Sequence, residues 1–306
     1  MPVVGQPDFP DTALWAFGTM EKTRAFVVLD TEAALPERSR YEVIPVPFER
    51  SVSYGRGTAS GPAALLEASA YVEGFDGVDV PAEAGICTGQ EVTCEGRDAE
   101  SVLAEVASRV SRAAGAGRIP VVLGGEHTVT LGAVRGLQGH GRRFGVVQFD
   151  AHADLRDRYE DNPLSHGSVM RRVVDMGVPL FQVGVRSLSA AESALRWERR
   201  IPHVDASANG LPVDGPLVPP SFPSEIYITF DVDALDPSAM PGTGTPEPGG
   251  LFWYEAVSGL ASVIRGRKVI GFDVVELAPL QGSNVSEFTA AKLVYTIMGL
   301  INRTAV

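Results

Sequence analysis

Short apolar, β-rich runs alternate with helical patterns along most of this chain, and that alternation restricts its fold more than any other feature. Strands are predicted over 41–48, 119–123, 144–149, 180–185, 225–230 and 269–274. Helices are predicted over 61–74, 99–114, 128–138, 168–176, 190–199, 254–264 and 286–301. In the second of these, Val102, Val106 and Val110 recur every fourth position and form one apolar stripe. Strands that are apolar throughout, such as Val121-Val122-Leu123, expect cover on both faces. Strand–helix–strand alternation with short links then gives a three-layer α/β/α fold with a mostly parallel sheet. The Gly- and Pro-containing stretch 204–224 reads as a loop, because strands resume in the same style after it. One domain is expected over residues 1–306, with 1–40 as an N-terminal extension of mixed pattern.

Three of the predicted strands end in side chains that bind metals. Phe144-Gly145-Val146-Val147 runs into Asp150-Ala151-His152-Ala153-Asp154, with a ligand at every second position. In an extended chain such positions share a face, so a carboxylate, an imidazole and a second carboxylate would leave the strand together. Ile226-Tyr227-Ile228-Thr229-Phe230 runs into Asp231-Val232-Asp233, and Val121-Val122-Leu123 into Gly124-Gly125-Glu126-His127. Open α/β sheets bind ligands beyond the carboxyl ends of their strands. Four aspartates and two histidines there exceed what one ion uses and suit two. Oxygen ligands with imidazole select a first-row divalent ion and not a thiolate-bound zinc. Taken singly, Asp-x-His or Asp-x-Asp after a strand is an ordinary turn or cap; the three motifs together carry the inference.

The net charge of −12 disfavours nucleic acid and anionic membranes as partners. No apolar run approaches the roughly 18 residues of a membrane span. Met1-Pro2-Val3-Val4-Gly5-Gln6-Pro7 has neither a basic n-region nor an apolar h-region, so no secretory leader is expected. The two cysteines, Cys87 and Cys94, fit neither a zinc spacing nor a disulfide framework, and a cytoplasmic location is expected.

These segments, with Ser165-His166-Gly167-Ser168, Asp231-Val232-Asp233-Ala234-Leu235-Asp236-Pro237, Pro241-Gly242-Thr243-Gly244-Thr245-Pro246-Glu247 and Gly271-Phe272-Asp273-Val274-Val275-Glu276, resemble the ureohydrolase superfamily of arginases, agmatinases and their relatives. Gly55-Arg56-Gly57-Thr58 before Gly61-Pro62 looks like that family's substrate-side loop. The resemblance implies an arginase-like fold and two manganese ions (Mn2+). One ion would take His127, Asp150, Asp154 and Asp231; the other would take His152, Asp150, Asp231 and Asp233, with Asp150 and Asp231 bridging. The family commonly has Asp where this chain has Glu126, a position outside the implied ligand set.

The implied reaction is hydrolysis of a guanidino group to urea and an amine. Asp154 would hold the attacking oxygen and move a proton to the leaving nitrogen, His166 would shuttle protons to solvent, and Glu276 would hold the guanidinium. Asp236 and Asp273 look like scaffold residues. The loop 155–165 and Val169-Met170-Arg171-Arg172 look like agmatinase, so the expected substrate is the small cation agmatine, which would yield putrescine. Glu160 or Asp161 would meet its distal amine. The alternatives are hydrolases of guanidinobutyrate, guanidinopropionate, aminopropylated agmatine or formiminoglutamate. An acidic substrate would need a basic reader such as Arg56 or Arg158. A non-catalytic metal scaffold is the remote alternative, and the intact metal set with His166 and Glu276 argues against it. The resemblance also suggests a homotrimer or homohexamer.

Overall fold

The computed structural model describes residues 25–27, 32–211 and 216–304. Most of the expected N-terminal extension lies outside them. The described residues build one eight-stranded sheet: β1 (Tyr41–Val46), β2 (Ile86–Thr88), β3 (Ile119–Gly124), β4 (Gly145–Phe149), β5 (Leu180–Val183), β6 (His203–Val204), β7 (Glu225–Asp231) and β8 (Lys268–Val275). The order is β2-β1-β3-β8-β7-β4-β5-β6 and every pairing is parallel. The six expected strands form its inner part. β2 and the two-residue β6 are additional and sit at the edges, where three or two paired residues leave too short a run to read as a strand. β6 takes the first residue of the stretch read as a loop from 204.

The helices are α1 (Gly61–Ser69), α2 (Ala99–Gly115), α3 (Val129–Gln138), α4 (Val169–Asp175), α5 (Ala190–Glu198), α6 (Trp253–Ile264) and α7 (Val285–Thr304). Each coincides with an expected helix. α1 stops five residues early, because the chain turns after Ser69 where Ala70 and Tyr71 donate back to Glu67 and Ala68. Asp98 caps α2 by accepting from the Ser101 amide (2.7 Å). Ser189 and Glu192 form a reciprocal capping box on α5.

Alternate strand residues feed two separate cores. Val121, Leu123, Ile226, Ile228 and Phe230 pack with α1, α6 and α7, whereas Val122, Val146 and Tyr227 pack with α2, α3 and α4. This is the period of two expected of strands covered on both sides. Four adjacent central strands, β3, β8, β7 and β4, carry the candidate site at their carboxyl ends. Neighbouring strands lie about 4.8 Å apart, so the four ends span about 15 Å.

Candidate metal centre and adjoining cavity

Strand register sets the first contacts of the site. Phe149 pairs with Phe230 and Asp231 with Val275, so the chain leaves the sheet with Asp150, Asp231 and Glu276 side by side. Past Phe149 the chain is no longer extended, contrary to the expectation of one continuous strand face. Asp150 Oδ1 accepts from the His152 amide (2.6 Å), and Asp231 Oδ1 from the Asp233 amide (2.9 Å). Both Asp-x-ligand motifs are therefore turns closed by their own carboxylates, and the turns aim the second ligand. Asp154 follows with φ of +53° and Glu276 with φ of +65°, the left-handed region that costs a side-chain-bearing residue energy.

The side chains converge in two groups. Ligand atoms of His127, Asp150 and Asp154 lie within 4.8 Å of one another, as do those of Asp150, His152 and Asp233. His127 Nδ1 is 3.0 Å from Asp154 Oδ2, 3.1 Å from Asp150 Oδ2 and 3.4 Å from Asp231 Oδ2. His152 Nδ1 is 3.0 Å from Asp233 Oδ2 and 3.6 Å from Asp150 Oδ1. Asp150 thus presents one oxygen to each group. Asp231 approaches only the His127 group, since its other oxygen is held by the Asp233 amide.

The tautomer of His127 can be deduced. Asp273 is buried, and its carboxylate accepts from Tyr227 Oη (2.7 Å), Thr130 Oγ1 (2.8 Å) and Thr229 Oγ1 (2.6 Å). Thr229 spends its only hydrogen there, so at 2.8 Å it must accept from His127 Nε2–H. Nδ1 is left with a bare lone pair, buried, without a hydrogen-bond partner and facing three carboxylates. A lone pair among anions calls for a cation, a proton in the metal-free chain or a metal ion in the loaded one. The donor set, oxygen-rich with one imidazole per group, fits two first-row divalent ions. A carboxylate behind the ligating histidine, here acting through a hydroxyl, fixes the ring as in many metal sites.

The same crowding perturbs titration. Burial alone would lower His127 and His152, yet the facing aspartates outweigh it; His127 is raised well above its ordinary value and His152 is pushed up to about 12. Burial and the Asp150 charge push Asp154 up to about 7. Burial with the Asp233 and Asp150 charges raises Asp231 strongly, and burial with the Glu126 charge raises Glu276. Asp150 moves the other way: burial would raise it, but the two imidazoles hold it low.

His152, Asp154, Asp231, Asp233, Glu276 and His166 line a pit whose roof is the loop 51–55. Gly55 donates to Gly244 O (2.9 Å), and an added Cβ would lie 2.8 Å from that oxygen, so only glycine lets the roof close. Glu276 Oε1 accepts from the His127 amide (2.6 Å). A cavity of about 300 Å³ opens from the pit past Ser53 and His166 to Tyr159, Ser187, Ser189 and Glu192. Arg156 is its one arginine or lysine among the described residues, stacked over Tyr159 at 5.7 Å.

Glu160 and Asp161 do not reach either space. They are the two central residues of a tight turn in which Tyr159 and Asn162 exchange backbone hydrogen bonds, with φ of +48° and +61°. That geometry points both side chains to solvent. Arg158 is tied to Asp161 O on the same turn, and Arg56 is exposed and lines neither space. Asp236 and Asp273 serve as scaffold: Asp236 accepts from Ser238, Gly249 and Gly250.

Several supporting residues escaped the sequence reading. Gln148 Nε2 donates to Asp150 Oδ2 (2.6 Å), and Gln182 Nε2 donates to Gln148 Oε1 (2.5 Å). Arg186 Nη2 donates to the carbonyls of Asp233 (2.7 Å) and Glu247 (2.7 Å) and pins the loop between them. Gln148 and Thr229 carried a signal: each is a polar residue inside an apolar strand, two positions before a ligand and so on its face.

A wholly parallel sheet with two carboxylate–imidazole clusters across its central carboxyl edge defines an α/β metallohydrolase architecture. Residues 39–299 match the Arginase family model, and the chain belongs to that family. It is 37% identical over 270 residues to an N(1)-aminopropylagmatine ureohydrolase of Synechocystis, covering 84% of this chain and 87% of that one. It is 34% identical over 269 residues to an agmatinase of Pyrococcus horikoshii, covering 86% and 92%. The solved agmatine ureohydrolase of Thermoplasma volcanium superposes with a TM-score of 0.76 at 28% identity, over 89% of this chain and 93% of that one. The chain is accordingly a ureohydrolase with an arginase-like fold.

Proposed function

We propose that this ureohydrolase cleaves the guanidino group of a linear cationic amine, agmatine or its N(1)-aminopropyl derivative, to urea and the free amine. The observation that carries the reading is one pit into which His152, Asp154, Asp231, Asp233, Glu276 and His166 open, with the buried His127 and Asp150 completing the two ligand groups. The ligands fit two divalent ions, which we take to be Mn2+: His127, Asp150, Asp154 and Asp231 for one, His152, Asp150 and Asp233 for the other. Such ions, when bound, supply a water acidic enough to attack a guanidino carbon at neutral pH.

The chain's own groups do the rest. Glu276, across the pit, accepts guanidinium N–H bonds and orients the carbon. Asp154 holds the attacking oxygen's proton and passes it to the leaving nitrogen as the C–N bond breaks. His166, at the pit's mouth, passes to solvent a different proton, the one a fresh water gives up when it replaces the attacking oxygen. The amine tail leads into the outer cavity, where hydroxyls of Ser53, Ser187 and Ser189 replace the contact expected of Glu160 and Asp161.

The longer substrate is favoured by two observations. The outer cavity extends well past the pit, and several relatives at 34–37% identity are named N(1)-aminopropylagmatine ureohydrolases. The free thiols Cys87 and Cys94 support a cytoplasmic enzyme, and the resemblance supports a homotrimer or homohexamer. No described helix is long and apolar enough to cross a membrane.

Urea release by the manganese-loaded chain, measured with agmatine, N(1)-aminopropylagmatine, arginine and guanidinobutyrate, tests the reading. Turnover of either amine above the two acids is expected. No urea from any of the four, with both ions bound, would overturn it.

A further inference from the structure

Glu126 is buried against the pit and takes donors on both oxygens. Oε2 accepts from the amides of Arg50 and Ser51 (the latter 2.7 Å), and Oε1 from Ser51 Oγ (2.7 Å) and Thr128 Oγ1. Two of these donors are backbone N–H groups, which cannot reverse. Four donors occupy the lone-pair directions of its two oxygens, so the Glu126 carboxyl accepts from each of them and donates to none.

The consequence passes through Ser51 to His166. Ser51 has one hydroxyl hydrogen and gives it to Glu126. Its oxygen also lies 3.0 Å from the His166 amide and 3.1 Å from His166 Nδ1. With the hydrogen spent, the Ser51 oxygen must accept both contacts, and Nδ1 must carry the ring proton. Nε2 is then a lone pair, and Ser53 Oγ, 2.7 Å away on the cavity side, donates to it. We infer that Glu126 and Ser51 are positioning residues that hold His166 as the Nδ1–H tautomer with Nε2 as the acceptor facing the cavity. The catalytic value of this rests on His166 acting as the proton shuttle proposed above; the tautomer itself does not.

Glu126→Gln provides a sharp test. The two backbone donors keep the amide oxygen on their side, so the new NH2 points at Ser51 and Thr128. It donates to Ser51 Oγ, which frees the hydroxyl hydrogen for His166 Nδ1. The ring proton is then forced to Nε2, and the acceptor no longer faces the cavity.

The measurement is the 15N spectrum of the full chain, loaded with zinc and labelled at histidine, with His166 assigned by its loss in His166→Asn. Wild type should show a protonated Nδ1 and a bare Nε2, and Glu126→Gln the reverse. Glu126→Asp, which keeps an acceptor-only group, should keep the wild-type pattern. Ser51→Ala should erase the preference, giving a second route should the Gln variant fail to fold. Under manganese, kcat of Glu126→Gln should fall by roughly 100-fold, the low end of acid–base contributions, with KM and metal content unchanged. A wild-type His166 protonated at Nε2, a Gln variant that keeps Nδ1–H, or an Asp variant that behaves like Gln would overturn the inference. Wild-type chain that releases no urea would instead sink the functional reading and leave the tautomer result standing.

Discussion

Replacing Thr229 with Val removes one hydroxyl and almost no volume, yet it should strike both the fold and the metal centre. Thr229 is fully buried, accepts from His127 Nε2 and donates to Asp273 Oδ1. The Val variant strands a buried N–H and leaves one oxygen of a buried carboxylate without its donor, while Tyr227 and Thr130 still hold the other oxygen. A stranded buried polar group costs about 1–3 kcal/mol and a charged one more, so the two together should cost about 2–5 kcal/mol. The freed ring can also turn or change tautomer, which lowers metal affinity by about 10–100-fold where such support is lost. Thr229→Ser keeps the hydroxyl and should recover most of both losses. Denaturant unfolding of the metal-free chain reads the first effect, and calorimetric titration with Mn2+ reads the second at one of two sites. A Val variant with wild-type stability and two wild-type affinities would refute the deduced direction of the Asp273–Thr229–His127 chain.

Glu276→Gln keeps an acceptor for the His127 amide but loses the charge that meets the guanidinium. kcat/KM should fall by about 10–100-fold, as expected for a charge-assisted bond worth about 1.5–3 kcal/mol. The metal-free variant should be at least as stable as wild type at neutral pH, because burial and the Glu126 charge already disfavour the ionised form; a lower midpoint would contradict this. Asp154, at about 7 when folded, keeps a proton that the unfolded chain releases near its ordinary value of 3.8. The folded state binds more protons in that window, so this group's contribution to metal-free stability should fall from about pH 4 to 7, by at most about 1.4 kcal/mol per pH unit. Asp154→Asn should flatten that slope in unfolding measured across the range. Asp161→Gly relieves a left-handed residue on an exposed turn and should raise stability by about 0.5–1 kcal/mol with KM for agmatine unchanged; a raised KM would return the turn to the substrate site.

The sheet's interior was legible because the evidence for it is local and redundant. Val121-Val122-Leu123 and Ile226-Tyr227-Ile228 announce strands buried on both faces, and each helix between them carries its own periodicity. β6 was not legible, since its two residues join the sheet only through pairing with Gln182 and Val183, a tertiary fact. The six candidate ligands were visible because metal-binding side chains at strand ends are scarce. Glu160 and Asp161 misled because sign and sequence position say nothing of direction; the left-handed backbone that turns them outward appears only in three dimensions. Glu126 lies outside the ligand set that the resemblance implies, so no motif points to its role. Its partners, Arg50 and Ser51, come from more than seventy residues away, beyond any motif.

The core and the site are specified by the same registers. Phe149 and Phe230 stack at 5.2 Å across β4 and β7 in one core, and the next residues along each strand are Asp150 and Asp231. A slip of one residue between these strands would drive Phe149 to the opposite face of the sheet. It would also carry Asp150 about 3.3 Å along the strand, farther than the gaps that relate Asp150 to His127. Strain at Asp154 and Glu276 is borne by the same frame. Arg171 donates to Asp154 O and Glu276 donates to Gly125 O, so each left-handed residue is held by the backbone of a packed element or its end. Changes that loosen the Phe149–Phe230 stack should therefore weaken metal binding without touching a ligand, and the effect should grow with the volume removed.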